Sequence, residues 1–190
     1  MVRVTSRIAD ALLAWRRDFG GIVDTDSPLQ RAKHPRSALA GPYGHPFHPI
    51  LVTIPIGAWL ASLVFDLIAV FNNDKAPFLL GAQVLIGIGI IGALLAAIFG
   101  FLDLSTLTKG TAAHKTALTH MTLNLTIVVL FVIDFFIRVA VGIDRVNVVG
   151  LILTIIALLM LGVSGWLGGK LAYHYGVRVA NEETQVEGFR

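Results

Sequence analysis

The chain has 190 residues, of which 55% are apolar and 14% charged, with a net charge of +3 and no cysteine. That balance excludes an ordinary soluble domain. The missing thiols exclude disulfides, thiolate-held iron–sulfur clusters, c-type haem attachment and a cysteine nucleophile.

Charges interrupt residues 1–20 throughout, so no signal-peptide core is present and the first spanning helix is expected to act as an uncleaved insertion signal. Residues 4–19 read as an amphipathic helix. Ile8, Leu12, Trp15 and Phe19 share one face and Arg7, Asp10, Arg16 and Arg17 take the others, a composition suited to the membrane surface or to a cap on the bundle itself. The stretch 20–44 is rich in Gly and Pro and carries His34 without periodicity, so residues 1–43 form an arm and linker.

Four continuous apolar runs follow, at 49–71, 77–102, 112–141 and 146–170. Each is long enough to cross a hydrocarbon core of about 30 Å. Because they are uninterrupted rather than alternating, they predict helices and not a barrel. The fold class is therefore all-α: an integral membrane four-helix bundle over residues 44–176 with an N-terminal amphipathic interfacial helix. Residues 177–190 are a polar tail.

The bundle is entered at Gly44–Gly57, with two His-Pro pairs, His45-Pro46 and His48-Pro49. Each proline biases the histidine before it away from helix and fits a first helical turn. His48 and Asp66 lie five turns apart on one stripe, close to Val52, Pro55, Trp59 and Ser62. Pro55 predicts a kink with a freed carbonyl. The second run is rich in small residues, and Gly92, Ala96 and Gly100 recur every four positions, a pattern for close helix approach and for a homodimer through this helix. Asp103 closes it. Thr111 is placed to cap the third helix, whose ~43 Å length exceeds the core and leaves His114 at headgroup level. Along it His120, Asn124, Ile127, Phe131, Asp134 and Arg138 form a polar–aromatic stripe that must face the interior. Asp134 and Arg138 are expected to pair as i, i+4 neighbours.

Four spans put both termini and the turn between the second and third helices on one side. Of the 15 Lys and Arg, all but Lys75, Arg138 and Arg145 lie on that side. The positive-inside rule makes it cytoplasmic, in a cytoplasmic (inner) membrane, and explains the basic charge without nucleic acid. All six histidines then belong to the cytoplasmic half, where His45, His48, Asp103, His114, His120 and Asn124 converge, with His174 nearby.

A single histidine at a helix entry is commonly structural; the convergence of several makes a site. His48 and His120 are the pair placed to hold haem b, with His45 and Asn124 in support. A divalent metal on His48, His120, Asp103 and His114 is the rival, and a His/Asp proton relay is a third reading. A weaker pattern runs through both halves, His48, Asp66, Gly100-Phe-Leu and His120, Asp134, Gly165-Trp-Leu. It would place His48 opposite His120 as two parallel repeats, although apolar helices also match by chance.

Four separated motifs, His45-Pro-Phe-His-Pro-Ile-Leu-Val-Thr-Ile-Pro-Ile-Gly57, Phe99-Gly-Phe-Leu-Asp103, His120-Met-Thr-Leu-Asn124 and Gly168-Gly-Lys-Leu-Ala-Tyr-His-Tyr-Gly176, resemble a widespread bacterial family. It comprises four-helix predicted membrane proteins catalogued as domain of unknown function twenty-two thirty-one. The resemblance covers roughly residues 44–179 and implies a fold and a compartment. Family members usually carry a histidine immediately before the last glycine; here Tyr175 stands there and His174 one residue earlier. Some relatives are joined to Rieske-type iron–sulfur domains, which implies redox work with a respiratory membrane partner.

With no nucleophile–base constellation and no phosphate loop, an independent enzymatic activity is not expected. The leading expectation is a membrane redox or metal-binding protein. The alternatives are a non-catalytic membrane subunit or anchor with structural histidines and, more weakly, a proton-coupled transporter.

Overall fold

The computed structural model describes residues 27–33 and 46–189, all helix and connection with no strand among them. The expected amphipathic helix at 4–19, His34 and His45 lie outside the described residues. A short helix α1 (Pro28–Lys33) precedes the membrane part. Then come α2 (Phe47–Leu51), α3 (Thr53–Phe71), α4 (Ala76–Leu104), α5 (Ala112–Val141), α6 (Val148–Gly169) continued by a π-helical turn at Lys170–His174, and α7 (Glu182–Glu187).

Phe47–Phe71, Ala76–Leu104, Ala112–Val141 and Val148–His174 are long and apolar enough to span a bilayer. They match the expected runs to within a few residues, and the chain is an all-α membrane helical bundle. Local chemistry sets the ends. Pro77 sits in the first turn of α4, where a missing N–H costs nothing. The Thr111 hydroxyl accepts from His114 N and the Asn147 side chain from Gly150 N, capping α5 and α6. Gly142 ends α5 at φ 81°, a positive value that favours glycine.

Val52 separates α2 from α3 while keeping helical angles, φ −65° and ψ −18°, and Thr53 Oγ1 donates to Ile50 O at 2.6 Å. Pro55 itself stands in the first turn of α3, where its ring is accommodated and its missing donor would have been unpaired.

Each helix buries a narrow stripe and leaves the rest to lipid. The α3 stripe is Pro55, Ala58, Trp59, Ser62, Asp66 and Ala69. The α5 stripe includes Ile127, Phe131, Asp134 and Arg138. Trp59, Ile86, Ile127, Phe131 and Ala157 make the core. The main helix contacts are α3 with α4 and α5 with α6, followed by α4 with α5 and α3 with α6. This is a square in which α3 and α5 face each other along a diagonal.

The small-residue face of α4 is a row of seats for α2 and α3. A methyl added at Gly81 would lie 2.6 Å from the Phe65 ring, one at Gly89 would collide with the Trp59 indole, and one at Gly92 would come within 2.6 Å of Ile54. The face on which a homodimer was expected is therefore used within the chain, because glycine lets the paired backbones approach.

The end that carries the α4–α5 turn is capped. Ala32 of α1 packs with Leu107 and Ala117, joined by Leu171 and Val177. Arg178, after the π-helical turn, donates its backbone N–H to Ala32 O at 2.9 Å.

Candidate functional site

Two groups of polar side chains lie inside the bundle, at opposite ends of the diagonal between α3 and α5. The first is the histidine pair. His48, on the short α2, holds its Nδ1 2.8 Å from the carbonyl oxygen of Ala96 on α4. His120, on α5, holds its Nδ1 2.8 Å from the carbonyl oxygen of Ser164 on α6. A carbonyl only accepts, so each Nδ1 carries a hydrogen, and a ring in its neutral form keeps its lone pair on Nε2. The ring centroids are 6.3 Å apart and the planes cross at 85°.

Each imidazole lies along a glycine one turn beyond its carbonyl partner. A methyl at Gly100 would stand 3.0 Å from His48 Cε1, and one at Gly168 would stand 3.2 Å from His120 Cε1. The two halves are thus built alike: histidine on the first helix, carbonyl and then glycine four residues later on the second. Sequence pattern had aligned Gly100 with Gly165. The contacts align it with Gly168 instead, since no side-chain atom stands near Gly165.

The halves differ in one respect. Asn124, one turn along α5, directs its Nδ2 to Ser164 Oγ at 2.7 Å and to His120 O at 2.8 Å. The same nitrogen is 3.2 Å from His120 Nε2. An amide has two hydrogens, so the two shorter bonds take them and the longer approach is a close contact beside the lone pair. Ser164 Oγ adds a second contact to His120 Nδ1, at 3.0 Å.

The other expected members of the cluster have partners of their own, although Asp103 stays within electrostatic reach of His48. Asp103 is ion-paired with Arg178, Nε to Oδ1 2.9 Å, because the turn after α6 folds Arg178 back over the end of α4. His114 sits in the first turn of α5, its backbone N–H bound to the Thr111 cap. His174 is exposed and meets Tyr175 edge-on. Among the described residues no group of three or more His, Asp or Glu is arranged to hold a metal ion. Of the expected ligands, His48 and His120 stand ring to ring, with centroids 6.3 Å apart.

Sequence reasoning missed the residues that hold the histidines. Ala96 and Ser164 act through their carbonyls, which no side-chain motif reveals. Gly100 and Gly168 stood inside recognised motifs, but nothing in the sequence marked them as seats for the imidazoles.

The second polar group is fully interior. Arg138 donates to both oxygens of Asp66, Nη1 to Oδ1 and Nη2 to Oδ2, each at 2.7 Å. Its Nε donates to Asp134 Oδ1 at 2.9 Å, so the i, i+4 pair forms as expected, with Asp66 as an added and better-matched partner. Thr154 Oγ1 accepts from Arg138 Nη2 at 3.3 Å and donates to Asp134 Oδ2 at 2.9 Å.

No curated protein and no solved structure matches the chain. One family model does, over residues 44–181, which takes in all four spans and both polar groups. Its four apolar helices accord with that family's description, and the chain belongs to the family of predicted membrane proteins designated DUF2231.

Proposed function

We propose that His48 and His120 are a two-imidazole ligand pair for haem b, in a small protein of the cytoplasmic membrane that exchanges single electrons with a partner in the same bilayer. The observation that carries this reading is the matched tethering of both Nδ1 atoms to backbone carbonyls at 2.8 Å. That bond fixes the tautomer, orients the ring and raises the basicity of Nε2, which is the arrangement of a metal-binding histidine.

The donor set favours iron in a porphyrin over a bare divalent ion. Structural and catalytic metal sites use three or four protein ligands, commonly with a charge-compensating carboxylate or thiolate. Here the available donors are two neutral imidazoles on facing helices, with Asp103 engaged by Arg178. Haem brings its own equatorial nitrogens and asks the protein only for axial ligands. A ring separation of 6.3 Å is close to the roughly 6 Å that two imidazoles sharing one metal require, given metal–nitrogen bonds of about 2.0–2.1 Å.

When bound, the group would supply a one-electron couple. The chain's own residues would hold it. His48 and His120 would ligate, Ala96 and Ser164 would orient them, and Asn124 would fix the His120 ring through Ser164. The distribution of Lys and Arg supports a cytoplasmic placement of this end of the bundle and of both termini.

Purified protein from cells supplied with haem is expected to show a Soret band and reduced α/β bands, both lost in His120→Ala. A wild-type protein with no Soret absorbance overturns the haem reading. Stoichiometric zinc, iron or copper without porphyrin would transfer the pair to the divalent-metal reading instead.

A further inference from the structure

We infer that the Asp66–Arg138–Asp134–Thr154 network at the other end of the bundle is a proton-binding site, with one proton held on Asp134. This inference stands apart from the histidine pair and does not depend on what that pair binds.

The first argument is charge. Asp66, Asp134 and Arg138 are at most 4% exposed. With every group ionised the network carries two negative charges and one positive. A surplus charge inside a bundle surrounded by hydrocarbon costs several kcal/mol unless it is neutralised. Among the described residues the neighbouring elements supply no second buried cation. The buried residues of α4 in this half are Leu79, Ala82 and Ile86. From α6 come Gly150 and Thr154, and from α3, besides Asp66, the buried hydroxyl of Ser62, which donates to Trp59 O. Asp144 and Arg145 in the α5–α6 turn are exposed. The Lys75 ammonium is bound to the carbonyl oxygens of Ala69 and Asn72.

The second argument is geometry, which says where the proton goes. Asp66 takes both terminal nitrogens of the guanidinium in a two-pronged pairing at 2.7 Å, the strongest form of this contact. Asp134 takes only the Nε, at 2.9 Å, and a hydroxyl at 2.9 Å. The guanidinium charge is thus matched to Asp66, and Asp134 is the surplus carboxylate. Its Oδ2 faces Thr154 Oγ1, which both donates and accepts, so a hydrogen fits between the two oxygens whichever of them owns it.

The third observation is a donor left unpaired. Asn147 is 9% exposed, and its Nδ2 is buried without a hydrogen-bond partner. It caps α6 three residues before Gly150, whose Cα abuts Asp134 so closely that a methyl there would collide with Oδ1. An unpaired buried donor calls for a water. That unpaired donor therefore stands one turn from the Gly150–Asp134 contact, near the carboxyl end of the network.

Infrared spectra of the full-length protein in lipid nanodiscs at neutral pH test this. A carboxylic-acid C=O band that shifts in D2O is expected in the wild type and in Asp103→Asn, and is expected to disappear in Asp134→Asn. The asparagine keeps an acceptor for Arg138 and a donor for Thr154, so that variant is expected to elute as a folded protein. Should it not, Thr154→Val decides: removing the hydroxyl partner must shift the band. A wild-type protein with no such band overturns the inference. So does a band that persists in Asp134→Asn, or one that is unmoved in Thr154→Val.

Discussion

Trp59 and Phe131 stack face to face in the middle of the bundle, with ring centroids 4.1 Å apart and planes 12° from parallel. They are related by a fixed interval. Asp66 and Arg138 are 72 positions apart, and that same interval separates Trp59 from Phe131 and His48 from His120. Three levels of the diagonal, imidazole, aromatic and charged, therefore each join a residue to its counterpart one half-chain later. This is the contact pattern of two helical hairpins related by an axis parallel to the helices. On that axis a residue meets its own equivalent, so whatever the bundle does at its centre is done by paired positions.

The stacked pair predicts a measurable coupling. Aromatic pairs in offset or stacked contact contribute about 0.5–1.5 kcal/mol beyond the area they bury. A double-mutant cycle with Trp59→Leu and Phe131→Leu, followed by unfolding in mixed micelles, should return a coupling energy in that range. Additive single effects would mean that each ring packs independently against α4 and α6.

The glycine seats on α4 predict a contrast between positions of the same residue type. Gly89→Ala must drive a methyl into the Trp59 ring, 2.5 Å from Cδ1 and 2.8 Å from Cε2. Overpacking of this kind costs about 1–3 kcal/mol. Gly57→Ala, where nothing stands within 4 Å, should be neutral or stabilising by up to about 1 kcal/mol through helix propensity. Thermal unfolding of the two variants side by side checks the ordering. Equal melting temperatures would show that α3 and α4 are not in this close contact.

The Arg138 network predicts an asymmetry between losing the cation and keeping its charge without its fork. Arg138→Met leaves the Asp66 carboxylate buried without its cation and should destabilise by about 3–5 kcal/mol. Arg138→Lys keeps the charge but loses the two-pronged bond to Asp66, and should fall between Met and wild type. Fractions of folded protein after heating, read by size-exclusion chromatography, rank the three.

Much of this was legible in the sequence because a membrane removes alternatives. Lipid cannot solvate the α5 stripe from Asn124 to Arg138, so its inward orientation followed from polarity alone, and four spans fixed which ends meet. The five-turn interval from His48 to Asp66 likewise placed both on the inward stripe of the first span. What pattern could not supply was partner choice. Asp103 reads as a member of the histidine group until the π-helical turn at Lys170–His174 carries Arg178 back over it, and that turn has no sequence signature. The bidentate bond from Arg138 to Asp66 crosses the diagonal between two spans, a distance that helix spacing within one span does not address. The carbonyls of Ala96 and Ser164 are invisible for a simpler reason: every residue has one.

The last prediction separates orientation from ligation at the histidine pair. Gly100 and Gly168 leave so little room that a methyl would stand 3.0 Å from His48 Cε1 and 3.2 Å from His120 Cε1. Contacts this tight require the ring to give by a few tenths of an ångström, and a β-branched side chain would require more. Gly168→Val should therefore tilt His120 off the Ser164 carbonyl, and Gly100→Val should do the same to His48 against Ala96. Both glycines lie within helices rather than at turns, so backbone conformation is preserved and the loss of packing should stay near 1–3 kcal/mol. If the pair binds a cofactor through matched Nε2 atoms, either valine variant should lower loading at least tenfold while the apo-protein still elutes as a folded species. Histidines that serve only to tie helices together would give the opposite pattern, with stability falling and the absorption spectrum unchanged.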